Sequence, residues 1–404
     1  MKNLSVECIS PLNNDQTARQ ELEHLAQSQG QEEPFFVMDV GEVMDKYATW
    51  TGVFPDIKPY YAVKCNDSLI VLKTLAALGA NFDCASKVEI ARVLSVGVSP
   101  DRIIFANPVK QQNHIRFAAK VGVDLMTFDN SAELYKIKEH NPNAKLVLRL
   151  VADSKDSQCM AMGLKFGARP AEAVNLMRTA NNLGLDLVGV SFHVGSGNRD
   201  LTAYSRALSQ CRDFYDACAE HGVHLSIVDI GGGFTSDDFD KVSGSVLTSL
   251  DEYFPAGTGV KIIAEPGRFL VATAYTLATR VHSMRIDRDR PMYYINDGVY
   301  GSFNCLLYDH ATVAPIPLKG GDGPLYKSSI WGPTCDSLDQ VAEDVLLPIL
   351  TVDDWLVFEA MGAYTLAAAS QFNGFPPTKV HHVANSEKWN ELKTLVPDAC
   401  VAHE

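Results

Sequence analysis

The sequence lacks the features that mark small stapled proteins and membrane proteins. Its nine cysteines include no C-x-x-C pair, so neither a disulfide framework nor a zinc site is indicated, and we expect free thiols in a reducing compartment. Its longest uncharged stretch, 360–378, is interrupted by polar residues and two prolines and is only partly apolar, so no membrane span is expected. These absences exclude the disulfide-rich, metal-stapled and membrane-spanning classes.

Positive charge is also scarce. Lys and Arg total 35 against 49 Asp and Glu, which gives a formal net charge of −14 at pH 7. Such acidity disfavours binding to nucleic acid or to an anionic membrane. The first 34 residues have neither the apolar core of a secretory signal nor the Arg-rich composition of an organelle transit peptide. We therefore expect a cytoplasmic protein.

The chain is long enough for two or three domains, each with its own core. It has 404 residues, of which 46% are hydrophobic and 21% are charged, close to the averages of globular proteins. From about residue 35, short β-branched and aromatic runs alternate with amphipathic helical segments, which is typical of βα units around a parallel sheet. Eight strands are predicted, at 58–64, 80–85, 102–107, 123–128, 144–151, 185–194, 224–230 and 260–265.

Eight such units predict an α/β fold in which a (β/α)8 barrel is followed by a mainly β domain. An open doubly wound sheet is the alternative, but no G-x-G-x-x-G follows the first strand. After Arg268 the runs become strand-like and are separated by turns. We therefore predict an N-terminal segment at 1–34, with a helix near 15–28, that packs on the β domain, a barrel at 35–272 and a β domain at 273–404.

Polar residues follow several predicted strands, and in such a barrel the functional side chains lie at the carboxyl ends of the strands. Lys64 would be partly desolvated after three apolar residues, which suits a Schiff-base nucleophile, or it would be an ordinary surface lysine. Glu265 would pair with a cationic heterocycle, or with Arg268. The residues at these ends are Lys64, Asp83, His193, Gly231–Gly233 and Glu265–Arg268.

Two of these ends could hold a phosphate. The triple glycine and the EPGR motif offer backbone N–H groups and a guanidinium, and Ser196 offers a hydroxyl, although glycines after a strand also form ordinary turns. His193 would stack on a flat ring, or be an ordinary strand-end histidine. A lysine amine, an acid for a ring nitrogen and a phosphate cradle together are what pyridoxal phosphate requires. Cys335 and Asp336 offer a thiol beside a carboxylate, or a buried small residue and a turn.

Eight motifs in order carry a family resemblance: YYAVKCN, FDCAS, SFHVGSG, DIGGGF, AEPGR, NDGVYGSFNCLLYDH, WGPTCDSLD and MGAYT. Over residues 35 to 375 the chain resembles the eukaryotic ornithine decarboxylases, which are pyridoxal phosphate-dependent enzymes of fold type III, the alanine-racemase-like group. The resemblance implies decarboxylation of L-ornithine to putrescine and carbon dioxide, the first step of polyamine biosynthesis.

The resemblance also implies roles for individual residues. Lys64 would bind the cofactor aldehyde covalently, Glu265 would keep the ring nitrogen protonated, and His193 would stack on the ring. The residues that match the family's phosphate contacts are Ser196, Gly233, Gly267, Arg268 and Tyr364. Those that match supporting residues near the cofactor are Asp83 and Arg149.

A homodimer with two shared active sites is implied as well. Each site would be completed by Cys335 and Asp336 of the partner chain, with the Cys335 thiol protonating the α-carbon of the product. Asp336 and Asp309 would flank the distal ammonium group of ornithine, a sensible way to select a diamino acid. Tyr308 and Asp339 would lie in the same neighbourhood.

The sequence would also suit two other functions. A dual lysine and ornithine decarboxylase would need little change, because one methylene group is worth only about 1–3 kcal/mol of discrimination. A non-catalytic antizyme inhibitor would need no catalytic lysine, acid or thiol. Antizyme is also a candidate partner of the enzyme, and basic side chains in 111–138 would form the surface that binds it. Alternatively, these side chains are ordinary solvated charges with no partner. Residues 153–163 match the family less well, and the C-terminal degradation tail of vertebrate members is expected to be absent.

Overall fold

The computed structural model describes residues 8–13, 16–152, 162–198, 200–288, 290–319 and 323–396. By compactness the chain divides into two units, one formed by Lys46–Leu270 and the other by Met1–Asp45 together with Val271–Glu404. Most of the segment that departs from the family pattern, residues 153–161, lies outside the described residues.

The strands and helices alternate regularly in the first unit, and strands predominate in the second. The strands are β1 (Ile9–Pro11), β2 (Phe35–Asp39), β3 (Lys58–Ala62), β4 (Asn81–Cys84), β5 (Ile103–Phe105), β6 (Leu125–Phe128), β7 (Lys145–Arg149), β8 (Asp186–Ser191), β9 (Ile227–Asp229), β10 (Lys261–Ala264), β11 (Tyr275–Asp287), β12 (Arg290–Ile295), β13 (Ile316–Pro317), β14 (Tyr326–Trp331), β15 (Gln340–Leu347), β16 (Trp355–Phe358) and β17 (Lys379–Ala384). The α-helices are α1 (Ala18–Gln27), α2 (Val40–Val53), α3 (Leu69–Leu78), α4 (Lys87–Ser95), α5 (Gln112–Val121), α6 (Ser131–His140), α7 (Met162–Lys165), α8 (Pro170–Asn182), α9 (Ala203–Glu220), α10 (Phe239–Tyr253), α11 (Arg268–Val271), α12 (Cys305–Tyr308) and α13 (Ser386–Leu395).

Strands β3 to β10 form a closed barrel of eight parallel strands, in which β10 pairs with β3. The predicted barrel is confirmed, and the open-sheet alternative is wrong. Each observed strand lies within the range predicted for it but is shorter, at the carboxyl end in β3 and at the amino end in β6. After β3, for example, residues Val63–Cys65 already form a turn of 3-10 helix.

Short-range hydrogen bonds start the helices directly after these strand ends. The Ser86 hydroxyl caps α4 by accepting the N–H of Glu89, and the Asn130 side chain caps α6 by accepting the N–H of Glu133. Glycines with positive φ, Gly79 and Gly122, end α3 and α5. The connections from β4 to α4 and from β6 to α6 are therefore short and are fixed by hydrogen bonds.

The second unit is built on a nine-stranded sheet in the order β1-β17-β2-β11-β12-β14-β15, with β16 pairing with both β11 and β13. The mainly β character predicted for this part of the chain is confirmed. Strand β2, at the start of the range predicted for the barrel, pairs with β11 and β17 of this sheet. Helix α1, which begins after a capping box formed by Thr17 and Gln20, places Leu22 in a buried cluster with Phe35 and Val383.

The cysteines only partly match the expectation of free thiols. Among the described residues six are free, at 65, 84, 211, 218, 305 and 335. Cys8 is disulfide-bonded, so the prediction is wrong at that position. Within the described ranges there is no helix with the length and apolarity needed to cross a bilayer.

Candidate active site

Lys64 and Asp83 form an ion pair at the carboxyl ends of β3 and β4. The Lys64 ammonium donates a hydrogen bond to Oδ2 of Asp83. The Asp83 side chain is fully buried, whereas 40% of the Lys64 side chain is exposed. The amine therefore lies at the boundary between a buried carboxylate and open space, where a small molecule can reach it.

Glu265 follows β10 and is 8% exposed. Burial raises the pKa of its carboxyl well above the usual value, and the carboxylates of Asp229 and Asp83 add to this shift, whereas Lys64 and Arg149 oppose it. Its Oε1 atom is buried and has no hydrogen-bond donor among the residues that the structure describes. A positive charge or a donor beside this carboxyl would relieve the cost of burying it.

Arg149 interacts electrostatically with this carboxyl, and His193 interacts in the same way with Arg149 and Lys64. Burial lowers the pKa of the Arg149 guanidinium, and Glu265 is the strongest of the carboxylates that oppose the shift. Burial also lowers the pKa of His193 well below its usual value, with Arg149 and Lys64 adding to the effect. His193 is therefore neutral at pH 7, and its Nδ1 atom accepts the N–H of Gly195 over 2.9 Å. A neutral imidazole held in this way can stack on a flat ring without repelling a cation.

Ser196 and Arg268 are held together near the glycine-rich turn. Nε of Arg268 donates to the hydroxyl oxygen of Ser196 over 3.1 Å, so a guanidinium and a hydroxyl converge. At Gly233, with φ of 116°, an added Cβ would lie 2.8 Å from the carbonyl oxygen of Gly195 and 2.9 Å from the hydroxyl of Tyr204. Only glycine fits there, so the turn packs closely against Gly195 and Tyr204.

Pyridoxal phosphate fits this arrangement on two observations. Glu265 places a buried carboxyl there, and a protonated ring nitrogen would bring a positive charge beside it. The paired Ser196 and Arg268 side chains, beside a turn that admits no side chain at Gly233, would suit a phosphate. The residues of the first unit that were predicted to surround the cofactor thus lie at the carboxyl ends of β3, β4, β7, β8, β9 and β10.

The other predicted site residues lie in the second unit. Cys335 is exposed, and its N–H and thiol lie 3.2 and 3.4 Å from Oδ1 of Asn373. The Asp336 carboxylate accepts a hydrogen bond from the Tyr300 hydroxyl and one from the N–H of Leu338 over 3.0 Å. The hydrogen bond from Tyr300 lowers the pKa of Asp336. The thiol and the ionised carboxylate are therefore both held at the surface.

Three further predicted residues, Tyr308, Asp309 and Tyr364, also belong to the second unit. Tyr308 is 74% exposed, and Asp309 is half-buried at the end of α12. Tyr364 has a positive φ of 56°, which is uncommon for a residue other than glycine. The dimer that would bring Cys335 and Asp336 to a barrel remains a prediction.

Three residues that interact with predicted site residues were not predicted from the sequence. Asn373 holds Cys335, and Tyr300 holds Asp336. Asp229 interacts electrostatically with Glu265 and raises the pKa of its carboxyl. Asp229 opens the DIGGGF motif at a strand end and could have been found by the rule that identified Lys64 and Glu265. Asn373 and Tyr300 carry no comparable pattern.

Asp339 anchors the loop that carries Cys335 and Asp336. It is 1% exposed; its Oδ1 accepts the N–H of Val299, and its Oδ2 accepts both the N–H and the hydroxyl of Thr334, over 2.6 to 2.9 Å. One carboxylate thus joins the loops that begin at Gly298 and Gly332, at both of which an added Cβ would collide with it.

Asp339→Asn should therefore destabilise the protein. The amide would point its own N–H group either at the N–H of Val299 or at the two donors of Thr334, so one hydrogen-bonding set would be lost. We expect the free energy of unfolding to fall by about 2 kcal/mol. Urea unfolding followed by tryptophan fluorescence measures this change. Asp287→Asn, at an exposed strand end, is the matched control and should leave the midpoint unchanged. Equal midpoints for both variants would show that Asp339 does not anchor these loops.

A family model described as "Pyridoxal-dependent decarboxylase, pyridoxal binding domain" matches residues 40–272. Antizyme inhibitor 2 of Xenopus laevis is 50% identical over 380 residues, which cover 89% of this chain and 83% of that protein. Ornithine decarboxylase of Rattus norvegicus is 45% identical over 389 residues, which cover 91% of this chain and 84% of that protein.

Solved structures of decarboxylases are similar along most of the chain. Arginine decarboxylase of Paramecium bursaria Chlorella virus superposes with a TM-score of 0.87 at 36% identity and covers 91% of this chain and 100% of its own. Lysine/ornithine decarboxylase of Vibrio vulnificus, complexed with putrescine, superposes with a TM-score of 0.82 at 33% identity and covers 90% of this chain and 97% of its own.

Proposed function

Because the chain belongs to the pyridoxal-dependent decarboxylase family, we propose that it converts L-ornithine to putrescine and carbon dioxide. It is a decarboxylase, and its cofactor is pyridoxal phosphate. The observation that carries the choice of ornithine is the identity of 45% to an ornithine decarboxylase over 91% of the chain. The Asp336 carboxylate, which Tyr300 keeps ionised, supports a substrate with a distal positive charge.

The barrel residues would bind the cofactor at three points. Nζ of Lys64 would attach to its aldehyde carbon, from a position now fixed by the Asp83 carboxylate. The carboxyl of Glu265 would accept the ring N–H. The His193 ring would lie against the face of the pyridine.

The phosphate would be bound by a separate group of residues around the glycine-rich turn. The guanidinium of Arg268 and the hydroxyl of Ser196 already converge there. The proposed phosphate-binding residues are Ser196, Gly233, Gly267, Arg268 and Tyr364.

Pyridoxal phosphate, when bound, supplies an electron sink for the electron pair that departing carbon dioxide leaves behind. Glu265 keeps the ring nitrogen protonated, and Arg149 helps to balance the buried carboxylates around it. The Cys335 thiol would donate the proton on Sγ to the α-carbon, so that the product is the amine. Asn373 holds that thiol through its side-chain oxygen.

Asp336 and Asp309 would bind the distal ammonium group of the substrate. Asp336→Asn keeps the shape of the side chain but removes the charge. We expect KM for ornithine to rise about 10-fold to 100-fold, because a charge-assisted hydrogen bond contributes about 1.5–3 kcal/mol, while cofactor absorbance stays unchanged. Steady-state kinetics of Asp336→Asn would measure the change in KM. The control is Asp344→Asn, at an exposed residue of β15. An unchanged KM would remove Asp336 from substrate binding.

Each active site would be shared by two chains, with Cys335 and Asp336 supplied by the partner. Exposure of Cys335, Tyr308 and Leu338 in the isolated chain is consistent with a surface that a second copy covers. Antizyme would be a further partner, through the basic side chains of α5 and α6.

Dual use of lysine and ornithine is the nearest rival. The test is kcat/KM for L-ornithine, L-lysine and L-arginine with the cofactor-loaded protein. We expect ornithine to exceed lysine by about 10-fold or more, as one methylene group allows. Comparable values for ornithine and lysine would favour the dual enzyme, and a preference for arginine would contradict the proposal.

A second candidate function is antizyme binding without catalysis, which the 50% identity to antizyme inhibitor 2 of Xenopus laevis favours. Lys64, Glu265, Cys335 and Asp336 weigh against it, because a binding protein does not need a catalytic lysine, ring acid and thiol. Gel filtration with purified antizyme, run beside an amine assay on the same preparation, separates the two functions. A complex with antizyme and no amine would support the inhibitor; an amine would support the enzyme whether or not antizyme binds.

A further inference from the structure

Asp229 is a buried carboxyl that has no role in the proposed chemistry. It is the last residue of β9, 1% exposed, and it lies in register with Ile263 of β10, two positions before Glu265. Its Oδ1 accepts the N–H of Gly231 over 2.9 Å, and the carbonyl of Gly231 accepts the N–H of Glu265 over 2.7 Å. Asp229 and Glu265 are thus tied to the same glycine.

Each of the two carboxyls has one buried oxygen without a donor. Oδ2 of Asp229 and Oε1 of Glu265 are both buried, and neither has a hydrogen-bond donor among the described residues. The Glu265 side chain, when protonated, can donate a hydrogen bond to Asp229, and this bond lowers the pKa of Asp229. Two ionised carboxylates would repel each other there, whereas one proton between them provides the missing hydrogen bond.

We propose that Asp229 is a positioning residue for Glu265, and that the two carboxyls share one proton so that Oε2 of Glu265 is directed toward the ring nitrogen of the cofactor. Asp229 would touch neither cofactor nor substrate and would act only through Glu265. This inference rests on the proposed cofactor site.

The surrounding charges agree with one shared proton. The groups that influence the pair are the carboxylate of Asp83 and the cations of Lys64 and Arg149. Asp83 is paired with Lys64, which leaves Arg149 opposite the two carboxyls. A pair that carries one proton has a single negative charge and is matched by Arg149. Burial raises the pKa of both carboxyls, in agreement with a pair that keeps one proton in the folded protein.

The test compares two cofactors on one set of variants. Apoprotein is titrated with pyridoxal phosphate and with its 1-deaza analogue, whose ring has a carbon in place of the nitrogen, and dissociation constants are read from intrinsic fluorescence. For Asp229→Ala we expect the dissociation constant of pyridoxal phosphate to rise about 10-fold or more, and that of the analogue to change by less than about 2-fold. Asp229→Asn, whose amide can still donate to Glu265, should restore most of the affinity for pyridoxal phosphate.

Glu133→Gln is the matched control. Glu133 is a buried carboxylate of the same barrel, 1% exposed and 2.9 Å from Nζ of Lys110, outside the cofactor site. Its loss should affect both cofactors equally. If Asp229→Ala also weakens both equally, or neither, Asp229 is a structural residue and the inference fails. If the unmodified protein binds no pyridoxal phosphate, the proposed function fails instead.

Discussion

Lys64→Ala should abolish both the visible absorbance of the bound cofactor and the formation of amine. The Lys64 ammonium, fixed by the buried Asp83 carboxylate and 40% exposed, is the amine that the barrel mouth offers to the cofactor aldehyde. Without it the cofactor can be held only by its phosphate and ring contacts, and we expect kcat to fall about 10³-fold or more. Absorbance spectra and an amine assay measure the two effects.

Lys58→Ala is the matched control for this substitution. Lys58 lies on the same strand, β3, but at the amino end of the barrel, where it is exposed. Its loss should leave the spectrum and the rate unchanged. A Lys64→Ala protein that kept the visible absorbance of an attached cofactor would show that another lysine, or none, holds the aldehyde.

Cys335→Ala should separate cofactor binding from product formation. The thiol lies in the second unit and is held by Asn373, so its loss should leave the absorbance of the bound cofactor intact. We expect putrescine formation to fall about 10²-fold to 10⁴-fold, because a positioned proton donor contributes that much. Carbon dioxide release should fall less than amine formation. Ser337→Ala, two positions along the same loop, is the control. Normal putrescine output from Cys335→Ala would show that the thiol is not the proton donor.

Mixing the two inactive proteins tests the shared site. If Cys335 serves the barrel of the partner chain, a mixed dimer of Lys64→Ala and Cys335→Ala has one intact site and one with both defects. With free exchange half of the dimers are mixed, so about a quarter of the original activity should return. No recovery after exchange has been verified by mass spectrometry would place Cys335 with the barrel of its own chain, or with none.

The barrel and much of its site were predictable because both depend on local pattern. Runs of apolar residues marked the eight strands, and the polar residues that followed them, such as Lys64 and Glu265, had to lie at the same end of a parallel barrel. Arg149 ends a strand too, but its significance was visible only through the resemblance, because a basic residue at a strand end has no single meaning.

What could not be predicted depends on contacts across the chain. Asp229 meets Glu265 because β9 and β10 pair with a particular register, and sequence spacing does not give that register. Asp339 joins the loops at Gly298 and Gly332 and accepts the N–H of Val299, forty residues earlier in the chain. The motif WGPTCDSLD alone does not distinguish this carboxylate from its neighbours. Asn373 reaches Cys335 in the same way.

The most direct measurement is the stoichiometry of products from the cofactor-loaded protein and L-ornithine. Putrescine is identified by mass spectrometry, and carbon dioxide released from carboxyl-labelled substrate is counted in the same reaction. We expect one putrescine for each carbon dioxide, with neither formed by Lys64→Ala. Absence of both products from folded protein that has bound pyridoxal phosphate would contradict the proposed function.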